Sequence, residues 1–457
     1  MTTVDAAIAY AREHQKQALE DLKALVRIPS ISTLSEHQAD MRRAAEWIAA
    51  QLKALGFERV DILPTPKHPV LLAEWMKAGP KAPTLLIYGH YDVQPVDPID
   101  LWTSDPFEPT QRGENLYARG ASDMKGQLVA LLKALEAMRR TSGLPVNVKF
   151  LLEGEEEIGS PNLEAFMRAH KDRLACDLCL NVDSGILAAD APSISYGLRG
   201  LIYFEIRLQG PATDLHSGTF GGAIDNPATV LCQLIGGMKD RKGRITLPGF
   251  YDHVRKLSKD ERDELARLPT PEQWWLKQTG SPALGGEEGY TATERAVARP
   301  TLDVNGLLGG FTGEGSKTVL PAKAMAKVSM RLVPDQTPED VRRGLLAYLQ
   351  ANVPAGISFE LLEHSACNPA MVERESAAVR AASRALQAVW GKEPLFTRQG
   401  GSVPVVALLQ DLLDVKVLML GFGLADDNLH APNEKQHIPT FHRGTEAFIR
   451  FLAEYRP

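Results

Sequence analysis

The chain has 457 residues, 44% hydrophobic and 24% charged, which is too long for one core of ordinary size and too apolar for disorder. A formal net charge of -6, with Lys and Arg dispersed, offers no basic stripe to neutralise phosphates and excludes a nucleic-acid partner on composition. Asp5, Arg12, Glu13 and His14 interrupt the N-terminus, and no apolar run reaches the ~18 residues of a membrane span, so no membrane partner is expected and the expected location is cytoplasmic.

In chain order, residues 38–55 predict an amphipathic helix stopped by Gly56, followed by strands at 70–75 and 84–93. A helix over 124–140 separates these from strands at 146–153 and 177–183. Cys176 and Cys179 have no second Cys pair to complete a structural zinc site, and their apolar surroundings predict buried thiols. Beyond residue 195 the pattern changes. Ile202–Leu208 and Ala326–Leu332 alternate as antiparallel strands with one wet face do, and Ser258 with Glu261 matches a helix capping box. Helix and strand patterns then resume at 373–390, 394–398, 403–412, 415–420 and from 439. The expected fold is α/β: a catalytic domain with a central mixed sheet covered by helices, residues 1–194 and 371–457, carrying an inserted α+β domain over 195–370.

Four segments concentrate metal-ligand chemistry where apolar strands end: Gly89-His90-Tyr91-Asp92, Gly120–Gly126, Glu153–Ser160 and Asn181–Gly185. His90 and Asp92, two apart on a strand, face the same side, so Asp92 can fix the imidazole tautomer. Taken alone, that pair fits a hydrogen-bonded structural histidine as well as a ligand, and Glu155–Glu157 fits a solvated loop. The acidic run nevertheless follows an inward-heading strand, where crowded like charges need cations or protons to neutralise them.

Together these segments resemble the co-catalytic metallopeptidase family of aminoacylase, carboxypeptidase G, succinyl-diaminopimelate desuccinylase and carnosinase. The likeness extends over Leu215–Gly218, Gly313–Pro321, Arg331–Pro334, Gly400–Pro404 and Asn428–Glu434. It implies two divalent metal ions per subunit, zinc first with Mn²⁺ or Co²⁺ as alternatives, bridged by Asp123 and completed by His90 and Asp183 on one side and Glu157 and His430 on the other. It implies Glu156 as general base for a metal-bridging water, Asp92 as support for His90, and His216 as a carbonyl-polarising group reaching the other subunit of a homodimer with shared sites. Arg331, Gly401 and Ser402 would bind substrate, and the inserted domain would be a lid that also makes the dimer. The likeness also implies a cis peptide bond after Asp123, although Met124 replaces the second aspartate many relatives carry there. Gly89–Pro95 and the long 239–300 insertion point within the family to carnosinase-like dipeptidases acting on small peptides. Deacylation of N-acyl amino acids is the alternative.

Overall fold

The computed structural model describes residues 3–401 and 403–457, so Ser402 lies outside the described residues. They form two compact units. One contains the chain from its N-terminus to Tyr196 with Val372–Phe396 and Leu408–Pro457; the other contains Gly197–Met371 and Thr397–Ala407.

The first unit is built on a six-stranded mixed sheet: β1 (Arg59–Leu63), β2 (Val70–Trp75), β3 (Thr84–His90), β4 (Asn147–Glu153), β5 (Leu178–Asn181) and β6 (Val417–Met419), in the spatial order β1-β2-β4-β3-β5-β6. β1 and β2 pair antiparallel, as do β2 and β4, whereas β4, β3, β5 and β6 run parallel. β4 is buried along its whole length and β3 at all but its first residue. Such near-continuous burial is what a parallel sheet covered on both faces produces. The register sets His90 beside Glu153 and Tyr88 beside Asn181, so the carboxyl ends of β3, β4 and β5 share one edge.

Helix Gln38–Ala54 buries Met41, Ala44, Ala45, Ile48, Ala49 and Leu52 and packs on β1 and β2. Helix Lys125–Thr141 packs against the closing helix Ile438–Glu454, and two N-terminal helices, Thr3–Glu13 and Gln15–Val26, complete that layer. Lys125 is fully buried and donates to the carbonyls of Ile28 at 2.7 Å and Leu25 at 3.3 Å, satisfying acceptors in the last turn of the second helix and just past its end.

The second unit carries a four-stranded antiparallel sheet in the order Thr301–Gly309, Lys323–Leu332, Gly200–Gln209, Ser358–Cys367. Its inner face (Ile202, Phe204, Ile206, Val328, Met330) forms one core with Val230, Leu231 and Leu234 of helix Pro227–Gly237 and Val341, Leu345 and Leu349 of helix Pro338–Asn352. The predicted capping box opens helix Lys259–Leu265, and a second one, Thr291 with Glu294, opens helix Ala292–Ala298. No helix among the described residues is long and apolar enough to cross a membrane. All four cysteines are free; Cys179 is buried, whereas Cys176 is only half-buried.

Candidate metal centre

β3 ends at His90, three residues earlier than its apolar pattern suggests. Asp92 therefore lies beyond the strand rather than two positions along it, yet still reaches the imidazole: its Oδ1 is 3.4 Å and its carbonyl 3.1 Å from His90 Nδ1. A carbonyl only accepts, so Nδ1 carries the proton and Nε2 presents its lone pair. That lone pair faces Asp123 Oδ1 at 3.2 Å and Asp183 Oδ2 at 3.8 Å. The other Asp123 oxygen, Oδ2, lies 3.0 Å from His430 Nε2, which is also 3.2 Å from Glu157 Oε2. Two clusters of three donors therefore share one carboxylate. One donor atom each from His90, Asp123 and Glu157 also fall within 4.8 Å of one another.

These residues fit divalent ions. Two nitrogen or oxygen ligands of a tetrahedral Zn²⁺ stand about 3.3 Å apart, given metal–ligand bonds of about 2.0–2.1 Å, and the observed spacings straddle that value. Electrostatics point the same way. Burial pushes the Glu156 carboxyl well above its usual range, with His90 pulling against this and Asp183, Glu157 and Asp123 adding to it. Asp183 is likewise raised, by burial and then by Asp123. Hydrogen bonds that its ring makes to the Asp123 and Glu157 carboxylates raise His430 to about 10. Burial works to raise Asp123 as well, but its contacts with both imidazoles outweigh that and hold it low. Protons are thus drawn into a cluster whose donor atoms a cation would satisfy better.

Asp92, fully buried, also accepts the backbone N–H of Glu157 at 3.0 Å through Oδ2, tying a residue of each cluster to one support. Gln94, to which no motif assigns a role, donates to Glu157 Oε2 at 2.8 Å. The acidic run is no solvated loop. Glu155 is 3% exposed and accepts from Thr65 Oγ1, the His68 backbone and Asn162, whereas Glu156 and Glu157 open a 3₁₀ turn that carries them into the donor cluster. The Asp123–Met124 bond is cis, and Met124 Sδ accepts the His90 backbone N–H at 3.0 Å.

His216, Arg331 and Gly401 lie in the second unit. His216 is exposed on a two-residue strand, Leu215–His216, paired with Val319–Leu320, and its ring lies over Gly218, where a Cβ would come within 2.8 Å of it. Arg331 is half-buried on the face of the sheet opposite the helices. Gly401 is exposed. Sequence reasoning missed Arg199, which donates to the Gly400 carbonyl at 2.8 Å; burial and then the Arg331 charge lower its pKa to about 10.

An α/β sheet with imidazole and carboxylate donors gathered at the carboxyl ends of its strands defines a metallohydrolase class of site. The chain belongs to the family described as Peptidase family M20/M25/M40, which matches residues 86–454, so the resemblance read from its motifs holds. The chain is 32% identical to the Beta-Ala-His dipeptidase of Rattus norvegicus, over 99% of this chain and 95% of that one. It is 31% identical to the Cys-Gly metallodipeptidase DUG1 of Candida albicans, over 97% and 95%. Among solved structures, the M20 family metallo-carboxypeptidase Sso-CP2 from Sulfolobus solfataricus superposes with a TM-score of 0.84 at 35% identity, over 96% of this chain and 99% of that one.

Proposed function

We propose that this chain hydrolyses dipeptides that end in a free carboxylate. The observation carrying the reading is the Asp123 carboxylate, which has one oxygen in each of two histidine–carboxylate clusters. His90 and Asp183 would complete one ion's ligands and Glu157 and His430 the other's, and two imidazoles with three carboxylates suit Zn²⁺. Divalent ions bound by these residues would supply a water of lowered pKa and polarise the scissile carbonyl. Glu156 takes the water's proton and passes it to the leaving amine. Asp92 holds His90 in the tautomer that leaves Nε2 bare.

Arg331 clamps the substrate carboxylate through its planar guanidinium, and Gly401 and Ser402 would add a backbone and a hydroxyl donor. His216, supplied by a second copy of the chain, stabilises the oxyanion. Strand Thr301–Gly309 supports this homodimer: it is an edge of its sheet and exposes Val304, Leu307 and Leu308. Free cysteines fit a cytoplasmic setting.

Two relatives are named as dipeptidases and one is described as a carboxypeptidase, and in both a dipeptide and a peptide's C-terminal residue a free carboxylate lies one residue beyond the bond to be cleaved. A panel of dipeptides, their C-terminal amides, longer peptides and N-acyl amino acids, each with Zn²⁺, Mn²⁺ and Co²⁺, tests the proposal. Dipeptides should have the highest kcat/KM, and faster turnover of N-acyl amino acids would replace it with a deacylase. Metal analysis of unchelated protein should find two ions per chain; none, with activity indifferent to chelators, would end the metal reading.

A further inference from the structure

His430 is the least sheltered of the proposed ligands. Its side chain is 55% exposed and its backbone sits at φ 59°, so packing does not set its distance from Asp123. The ties on either side of it do. Asp427, three residues before, accepts the Ser122 hydroxyl at 2.7 Å and the Leu424 backbone N–H at 2.8 Å. Glu434, four residues after, is 1% exposed and spends both oxygens on the loop that carries Asp123. Its Oε1 accepts from the backbone N–H of Ser122 and of Asp123, each at 3.0 Å. Its Oε2 accepts from Gly120 N–H at 2.9 Å and from Arg119 Nη1 at 2.8 Å. Four donors fill the acceptor capacity of one carboxylate. The loop has little freedom to follow another path, since Gly120 adopts φ +80° and a Cβ there would meet Val93 at 2.6 Å.

We propose that Glu434 is a positioning residue of the metal centre: by holding the Gly120–Asp123 backbone from the strand of chain that bears His430, it fixes the 3.0 Å separation of His430 from Asp123 and so the tightness of the Glu157–His430 half. The proposal rests on the metal-binding reading of that half. A carboxylate that merely balanced the buried Arg119 would have no such effect.

Glu434→Gln keeps the shape but turns one acceptor into an N–H₂ facing the loop's own donors. Zn²⁺ titration of metal-free protein against a chromophoric chelator should then show one ion bound as in wild type and the second weakened about 10–100-fold, the range for losing an outer-shell partner. The visible spectrum of the Co²⁺ form should change in parallel. Arg119→Met leaves Glu434 over the three backbone N–H groups, so it should lower Tm while both ions stay tight. Should Glu434→Gln fail to fold, Glu434→Asp gives the same reading, because it keeps the charge opposite Arg119 but withdraws the acceptor by one methylene. Wild-type affinity for both ions in a folded Glu434 variant, or equal weakening in Arg119→Met, overturns the proposal. Failure of the wild-type protein itself to bind two ions would instead defeat the metal reading.

Discussion

Glu156→Gln separates the base from the ligands in one substitution. The amide keeps the side chain's shape but cannot take a proton, and the ligand set is untouched: Glu157 keeps its N–H bond to Asp92 at 3.0 Å and its Gln94 contact at 2.8 Å. Removing a positioned general base costs about 10²–10⁴-fold in turnover, or roughly 2.7–5.4 kcal/mol of barrier at 1.36 kcal/mol per tenfold. Stability should move the other way. Burial and the neighbouring carboxylates hold the Glu156 carboxyl well above its usual range, so the metal-free fold must take up a proton there, a cost that a neutral amide avoids. The expected result is kcat on a dipeptide down by that factor, two metal ions retained, and a chelated Tm equal to or above wild type. Near-native turnover, or a variant that loses metal, would refute the assignment of Glu156 as base and Glu157 as ligand.

Arg331→Ala should lower kcat/KM for a dipeptide acid roughly tenfold to a hundredfold, matching the 1.5–3 kcal/mol of a charge-assisted hydrogen bond, and spare the matched amide; equal losses on both would remove the clamp. His216→Ala and Glu156→Gln should each be nearly inert. An equal mixture of the two under proven subunit exchange should recover about a quarter of wild-type activity, because half the dimers rebuild one of two sites; no recovery would put His216 outside the partner's site. Gly126→Ala should destabilise by about 1–3 kcal/mol in chemical denaturation although alanine favours helices, since its Cβ would lie 2.2 Å from the Ala121 carbonyl and 2.4 Å from Gln436 Oε1; a rise in stability would show that the loop gives way.

The elements legible in the sequence are those whose burial is written into consecutive residues. β4 is buried throughout and carries Val148, Phe150, Leu151 and Leu152, and helix Gln38–Ala54 buries six residues on one face, so the apolar pattern finds them. β1 has a charged start and no fully buried residue, as an edge strand can, and its signal is correspondingly faint. Helix Thr3–Glu13 buries only Ala7 and Ile8, too narrow a stripe to stand out. Strand Lys435–His437 exists because Asn115–Tyr117 pairs with it, and nothing in its three residues announces that partner. Glu434 was visible as part of a motif, but its work lies in backbone N–H groups at Gly120, Ser122 and Asp123, which a pattern of side chains does not encode.

The exit from β4 shows why a run of like residues can be located by sequence and yet not sorted. Glu153, the last residue of the strand, accepts from Tyr88 Oη at 2.6 Å and Ser160 Oγ at 2.8 Å. Two residues later Glu155 is directed to Thr65, His68 and Asn162. The chain then tightens into the 3₁₀ turn Glu156–Ile158, closed by Gly159 at φ 84°, and only there do two successive carboxyls enter the donor cluster. Side chains on a strand alternate in direction, whereas those on a 3₁₀ turn advance by about 120° each. The assignment of a base, a ligand and two structural acceptors among four glutamates therefore depends on the residue at which extended backbone gives way to the turn.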